Sequence, residues 1–158
     1  MTTASLQEIK KELRTLDPDK VQDLCMRLAK YKKVNKELLT YLLFEAQHEQ
    51  SYVENVKEDL TELFKNLPTR NVYLIKKTLR RILRFADKHI KYSGNPTSEL
   101  EIRIFFCLKI KEAKILMQTS TVLFNLFQQQ LKKIETTLAK LPEDLKTDYE
   151  PDLKKIFS

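Results

Sequence analysis

Basic side chains crowd one short part of the sequence, and their chemistry is that of anion binding. Eight Lys and Arg residues stand between positions 70 and 91 against one acid, Asp87, so this segment has a net charge of +7. The whole 158-residue chain also has a net charge of +7, so the remaining residues are neutral in sum. The eight are Arg70, Lys76, Lys77, Arg80, Arg81, Arg84, Lys88 and Lys91.

A helix over this segment would separate those charges from an apolar stripe. At 3.6 residues per turn, Ile75, Leu79 and Ile82 fall on one side and the basic residues on the other. Four pairs of like charges then stand four residues apart, and each pair costs about 0.2–0.5 kcal/mol. We therefore expect something to offset a repulsion on the order of 1–2 kcal/mol.

One offset would lie inside the protein. The segment 45–62 carries six acids against one Lys. If its helix runs antiparallel to the basic helix, the predicted pairs are Glu62 with Lys76, Glu58 with Arg80, and Glu54 with Arg84. That pairing does not use a second basic row formed by Arg70, Lys77, Arg81 and Lys88.

The other offset would be an external polyanion at the basic helix. Phosphate contacts need a basic face and no sequence motif. The candidate binding residues are Arg70, Lys77, Arg81, Lys88 and Lys91. Nucleic acid or an acidic protein is the expected partner, and no membrane is expected.

The residues that could hold a metal are few. Glu45 and His48 form an E-x-x-H, but bundle di-iron sites need that spacing twice, and Ala86 stands three residues before His89. The single glycine, Gly94, excludes the glycine-rich loops that cradle phosphates and the turns that present a nucleophile. We expect no catalytic residue, no cofactor and no metal site.

The two cysteines indicate a reducing compartment. Cys25 and Cys107 both stand in apolar helical runs, which favours buried free thiols over a disulfide. The longest uncharged apolar run, at 38–44, is too short for a membrane span. These features predict a soluble, cytoplasmic protein.

Capping signals and apolar periodicity predict seven or eight helices. The first runs from about Leu6 to Leu16 behind a capping box of Ser5 and Glu8, and Asp17 followed by Pro18 begins the second. Further helices begin at an Asn35 cap and at a capping box of Ser51 and Glu54, although one long helix through 36–67 is an alternative. Gly94 would end the basic helix in the left-handed conformation.

The sixth predicted helix is apolar on nearly all sides, which is typical of an enclosed helix. A strand over part of it is an alternative, but the sequence offers no second strand. We predict an all-α fold in one domain, 1–158, with an orthogonal or stacked helix-pair arrangement around one core. Residues 142–158 form an appended helix or an ordered tail. The predicted core residues are Phe105, Phe106, Leu108, Phe127 and Leu131.

Three segments resemble a group of small, all-helical bacterial proteins of uncharacterised function. They are "KELLTYLLFEA", "RNVYLIKKTLRRILRFADKHIKYSG" and "TSTVLFNLFQQQLKKI". The resemblance implies an all-α fold and no assigned activity. A more distant likeness is to HEAT-type helical repeat proteins that act in DNA alkylation repair. Together with the charge pattern, this favours a non-enzymatic binding or adaptor module, with nucleic-acid binding through the helix at 70–92 as the alternative.

Overall fold

The computed structural model describes residues 1–158, and its secondary structure is entirely helical, as the sequence predicts. The chain divides into two compact units, Met1–Phe44 and Glu45–Ser158. The α-helices are α1 (Leu6–Leu13), α2 (Pro18–Tyr31), α3 (Lys33–Thr40), α4 (Glu49–Lys65), α5 (Val72–Ser93), α6 (Pro96–Glu112), α7 (Thr121–Leu138) and α8 (Glu143–Phe157).

The helix starts of the first unit follow the predicted capping signals. The Glu8 backbone N–H donates to Ser5 Oγ, and the Glu8 carboxylate accepts from the Ser5 backbone N–H at 2.7 Å. Asp17 caps α2 by accepting from the Lys20 backbone N–H at 2.9 Å. The predicted end of α1 at Leu16 is wrong, because the hydrogen bonds tighten to three-residue steps after Leu13 and form a turn.

The connection between α2 and α3 differs from the prediction. Lys32 adopts an extended conformation and precedes α3 directly. Asn35 is not a helix cap; its side-chain Nδ2 instead donates to the Leu28 carbonyl at 2.8 Å, which ties α3 back to α2. Cys25 is exposed, which corrects the prediction that both thiols are buried.

α3 and α4 are separate helices, as the first alternative predicts, but α4 does not begin at the predicted capping box. A π-helical turn at Tyr41–Glu45 and a 3₁₀ turn at Ala46–His48 replace a continuous α-helix. The regular helix then begins at Glu49, so Ser51 lies inside α4 and does not cap it. The helix type changes here without any proline or glycine, which is why the sequence left one long helix open as an alternative.

In the second unit α6 lies at the centre and contacts α4, α5, α7 and α8. Neighbours on several sides explain why this helix is apolar nearly all round, and the structure rules out the strand alternative. Its Phe106 is fully buried. Phe127 and Leu131 of α7 are also buried, as predicted.

Two of the predicted core residues are only half-buried. Phe105 and Leu108 lie on a partly exposed side of α6. Lys109 Nζ lies 5.3 Å from the centre of the Phe105 ring, a position at the protein surface. The last segment, residues 142–158, is a regular helix, and its Ile156 is buried at 1% exposure.

The basic segment forms the 22-residue helix α5, held at both ends by local signals. The Leu74 backbone N–H donates to Asn71 Oδ1 at 3.1 Å at its start. Gly94 ends it with a φ of +62°, a conformation that glycine adopts without steric cost. Asn95 then caps α6 directly, so α5 and α6 are joined by a tight turn. α5 contacts α4 and α6.

Candidate anion-binding face

The basic residues of α5 form one continuous solvent-facing surface, which we call the basic face. It comprises Lys76, Lys77, Arg80, Arg81 and Arg84, of which only Lys76 is half-buried. Four of them line a concave surface of about 260 Å³ together with Tyr73, whose side chain is 67% exposed. The opposite side of the helix is buried in the second unit through Ile75, Leu79, Ile82, Ala86 and Ile90.

No residue of the basic face makes an ion pair or a side-chain hydrogen bond within the chain. The predicted pairing of this helix with Glu54, Glu58 and Glu62 is therefore wrong. Glu54 instead contacts Lys57 at 3.0 Å, and Glu62 contacts Lys65 at 2.6 Å.

The reason lies in the rotation of α4 about its own axis. α4 does contact α5, but the residues it buries are Tyr52, Val53, Val56 and Leu60. The three glutamates occupy another side of the helix and are exposed. The acidic row and the basic face therefore do not meet, although they lie on neighbouring helices.

The one acid of the basic segment is engaged elsewhere. Asp87 Oδ1 accepts a hydrogen bond from a terminal nitrogen of Arg103 at 2.9 Å. The same guanidinium donates to Glu99 at 2.8 Å and to Gln130 Oε1 at 2.8 Å. Arg103 is buried, with 7% of its side chain exposed, so this network joins α5, α6 and α7 inside the second unit. Asp87 thus neutralises Arg103 and not the basic face.

The five candidate residues named from the sequence fall in different surroundings. Lys77 and Arg81 belong to the basic face, and Lys91 is exposed in the last turn of α5. Arg70 precedes the helix and lines a separate groove. Lys88 is half-buried, with its Nζ 5.8 Å from the centre of the Phe85 ring, and it has further contacts.

Sequence reasoning missed four residues of this surface. Lys76, Arg80 and Arg84 were assigned to internal pairs that do not form, and Tyr73 was not considered. The signal was present, since Tyr73, Lys77, Arg80 and Arg84 are spaced by four, three and four residues and share one side of a helix. An exposed aromatic ring among cations is a surface on which a nucleic-acid base can stack.

A second polar cluster, on α4, α5 and α6, joins the second unit internally. Tyr52 Oη and His89 Nδ1 are hydrogen-bonded at 2.6 Å, and the Phe85 ring lies 4.4 Å from the His89 ring. Glu49 accepts from Ser98 Oγ at 2.6 Å and also from Ser93 Oγ. These contacts tie the start of α4 to the junction of α5 and α6.

A third cluster is centred on Lys57. Its ammonium donates to Glu54 and to Glu101, each at 3.0 Å. Burial acts to lower the pKa of Lys57, but the hydrogen bonds to the two glutamates outweigh it and raise that pKa above its ordinary value. Burial, assisted by the charge of Glu101, raises the pKa of Tyr149. The cluster therefore keeps a charged lysine and a neutral tyrosine at neutral pH.

Other regions of the chain contain a groove and a few titratable side chains. A groove of about 400 Å³ near the α4–α5 loop has apolar walls, and its titratable groups are the cations Lys65, Arg70 and Lys114.

Glu45 and His48 lie in two different turns, so the E-x-x-H does not share one regular helix face. No group of three metal-ligating side chains converges anywhere in the chain. None of the helices combines the length and apolar character needed to cross a bilayer.

No protein-family model, curated protein or solved structure matches this chain. The resemblance to small bacterial helical proteins stays a prediction.

Proposed function

We propose that the chain is a non-enzymatic binding module that holds a nucleic acid through the phosphates of its backbone, at the basic face of α5. One observation carries this proposal: five neighbouring cations share a surface without a single acidic partner. Cations in this state are surrounded by water and small anions. A polyanion that replaces those anions gains from the release of its own condensed counterions.

The shape of the surface supports a strand-like ligand. Lys77 and Arg84 are seven positions apart with Arg80 between them, so their Cα atoms cover about 10 Å along the helix axis. This distance corresponds to about three phosphate spacings of roughly 3.4 Å each, measured along the axis of one duplex strand. Tyr73 extends the same side of the helix by about one turn and offers its exposed ring for stacking.

The salt dependence of binding tests the proposal. Fluorescence anisotropy of a labelled duplex should give a slope of log K against log salt of about −3 to −4, since about four phosphates are neutralised. Changing Lys77, Arg80 and Arg84 together to Gln should weaken binding equally for unrelated sequences and flatten that slope by about 2–3.

A matched control removes the same amount of charge elsewhere. Lys132, Lys133 and Lys140 are exposed in the second unit and make no ion pair, and changing all three to Gln should leave the slope unchanged. Equal losses in the two triple variants would mean that only net charge matters. An absence of binding to both duplex and single-stranded oligonucleotides at about 0.1 M salt would reject nucleic acid and leave an acidic protein surface as the partner.

Tyr73 distinguishes single strands from duplexes. If its ring stacks on a base, Tyr73→Ala should weaken binding of a single-stranded oligonucleotide by about 5–150-fold, because stacking contributes about 1–3 kcal/mol per base. The duplex, whose bases are already stacked, should be bound almost as before. An equal loss for both ligands would show that Tyr73 acts only by supporting neighbouring side chains.

A further inference from the structure

The first unit exposes its apolar side chains. No residue of α1, α2 or α3 is buried, although each helix carries an apolar stripe. Leu6 is 85% exposed, Leu28 61% and Phe44 69%. The full set of exposed large apolar residues in this unit, apart from Met1, is Leu6, Ile9, Leu13, Leu24, Met26, Leu28, Tyr31, Val34, Leu38, Leu42, Leu43 and Phe44.

The apolar area involved is of the size of a protein–protein interface. The twelve exposed side chains present a summed apolar area on the order of 1,000 Å², and a standard interface buries about 800 Å² per partner. The exposed apolar area of the first unit is therefore of the size that a standard interface buries on one partner.

This surface includes a helix stripe and a cleft. α1 presents a convex stripe of Leu6, Ile9 and Leu13, and none of the three is buried within a single copy. α2 and α3 enclose a concave cleft of about 240 Å³. The cleft is lined by Cys25, Leu28, Ala29, Asn35, Leu38, Leu39 and Leu42.

The chemistry of the cleft fits an uncharged helix stripe. None of its lining residues is charged, and its one amide, that of Asn35, already donates to the Leu28 carbonyl. A ligand with charged groups would lose hydration there without gaining a partner. An apolar helix stripe meets no such penalty, and α1 is a stripe of that kind on the same unit.

We propose that two copies of the chain pair through their first units, with α1 of each copy lying in the α2–α3 cleft of the other. The exchange is reciprocal, so a two-fold axis closes the assembly at a dimer. This surface is separate from the basic face, and the pairing does not depend on nucleic-acid binding.

Sedimentation of the full chain tests the pairing. The wild type should be a dimer at micromolar concentration. Ile9→Glu and Leu28→Lys should each raise the dimer dissociation constant by at least about 100-fold, because each places an unpaired charge in an apolar contact. Both positions are exposed in a single copy, so the helical circular dichroism of the variants should stay unchanged. Leu116→Glu, at a 68% exposed position in the second unit, is the control and should leave the dimer intact.

Mixing the two variants tests the exchange itself. The mixed pair contains one unaltered contact of α1 with the cleft. In its other contact, the carboxylate introduced by Ile9→Glu faces the ammonium introduced by Leu28→Lys, so the two charges neutralise each other. The mixed pair should therefore associate at least about tenfold more tightly than either variant alone.

Two results would overturn the proposal. A wild-type chain that stays monomeric at about 100 µM would overturn the pairing, since a standard interface holds far more tightly. The exchange of α1 would be overturned if neither variant raised the dimer dissociation constant. It would also be overturned if the mixed pair associated no more tightly than either variant alone.

Discussion

Arg103 is the one charged side chain buried in the second unit, and Arg103→Met tests how much its hydrogen bonds stabilise the fold. The substitution keeps an unbranched chain of similar length, so most of the packing of the arginine stem is retained. It removes the guanidinium and its hydrogen bonds to Asp87, Glu99 and Gln130. We expect the free energy of unfolding to fall by about 3 kcal/mol, within the range for a buried ion pair that loses one partner.

The magnitude follows from what each partner does after the change. The side chains of Asp87 and Glu99 are 31% and 30% exposed, so water replaces part of the interaction that each loses. The loss of each of these two ion pairs should therefore lower the free energy of unfolding by only about 1 kcal/mol. Gln130 is 1% exposed, and its Oε1 would lose its hydrogen-bond donor at a cost of about 1–3 kcal/mol. Its Nε2 already lacks a partner, so the whole amide would become unsatisfied.

Urea denaturation at pH 7, followed by the helical circular dichroism signal, measures this change. Arg81→Met is the matched control, because Arg81 is exposed and makes no ion pair, and its effect should stay within about 0.5 kcal/mol. Arg103→Lys should fall between the two, since an ammonium keeps the charge but cannot reproduce the fork geometry of the guanidinium. An Arg103→Met variant within about 1 kcal/mol of the wild type would refute the assignment of a stabilising role to the network.

The same substitution has a second consequence at the basic face. Without Arg103, the Asp87 carboxylate is no longer neutralised, and it stands three residues from Arg84 on one helix. An acid at that spacing pairs with the arginine. Arg103→Met should therefore weaken polyanion binding in the folded protein and flatten its salt dependence by up to about one unit of slope. Unchanged binding would show that Asp87 stays away from the basic face.

The remaining predictions concern the core and the two thiols. Phe106→Ala should cost about 3–5 kcal/mol in the free energy of unfolding, whereas Phe105→Ala, at a half-buried position, should cost less than about 2 kcal/mol; equal denaturation midpoints would contradict the central place of α6. Burial raises the pKa of Cys107 from 9.0 to about 12, so above pH 9 the unfolded chain releases a proton that the folded chain keeps. Between pH 8 and pH 10 the wild type should thus lose about 1.4 kcal/mol that Cys107→Ala does not lose, and parallel stability curves would contradict this. Cys25 should react with a thiol reagent in the folded Ile9→Glu variant, whose α2–α3 cleft is not covered by a second copy, and Cys107 only after unfolding; two reactive thiols in the folded variant would refute the burial of Cys107.

The features that could be predicted from the sequence are those decided by nearby residues. The capping box of Ser5 and Glu8, the Asp17 cap and the left-handed Gly94 each need only a few residues of context, and all three are present. The separation of α5 into an apolar and a basic side is equally local, because it follows from the helix period alone. The apolar character of α6 on nearly all sides likewise indicated its central position.

The features that could not be predicted depend on distant residues or on the rotation of one helix against another. Arg103 meets Gln130, 27 positions away, and no local pattern indicates that contact. The predicted pairing of Glu58 with α5 is wrong because it assumed that the acidic side of α4 faces α5. The buried residues of α4 decide which side of that helix faces inward. The prediction that Cys25 is buried is wrong. An apolar stripe shows that one side of a helix is apolar, but it does not show whether another helix of the same chain covers that side.

The energetics of α5 show how the fold keeps a repulsive surface in place. The four like-charge pairs along α5 cost on the order of 1–2 kcal/mol in total. The same helix buries five apolar residues in the second unit, and burial of one such side chain contributes about 1.5–3 kcal/mol as an upper estimate. The buried side thus outweighs the repulsion several-fold, so α5 needs no acidic neighbour to stay folded. A helix held from one side in this way can keep its cations free of internal partners, which is the state that the proposed binding of a polyanion requires.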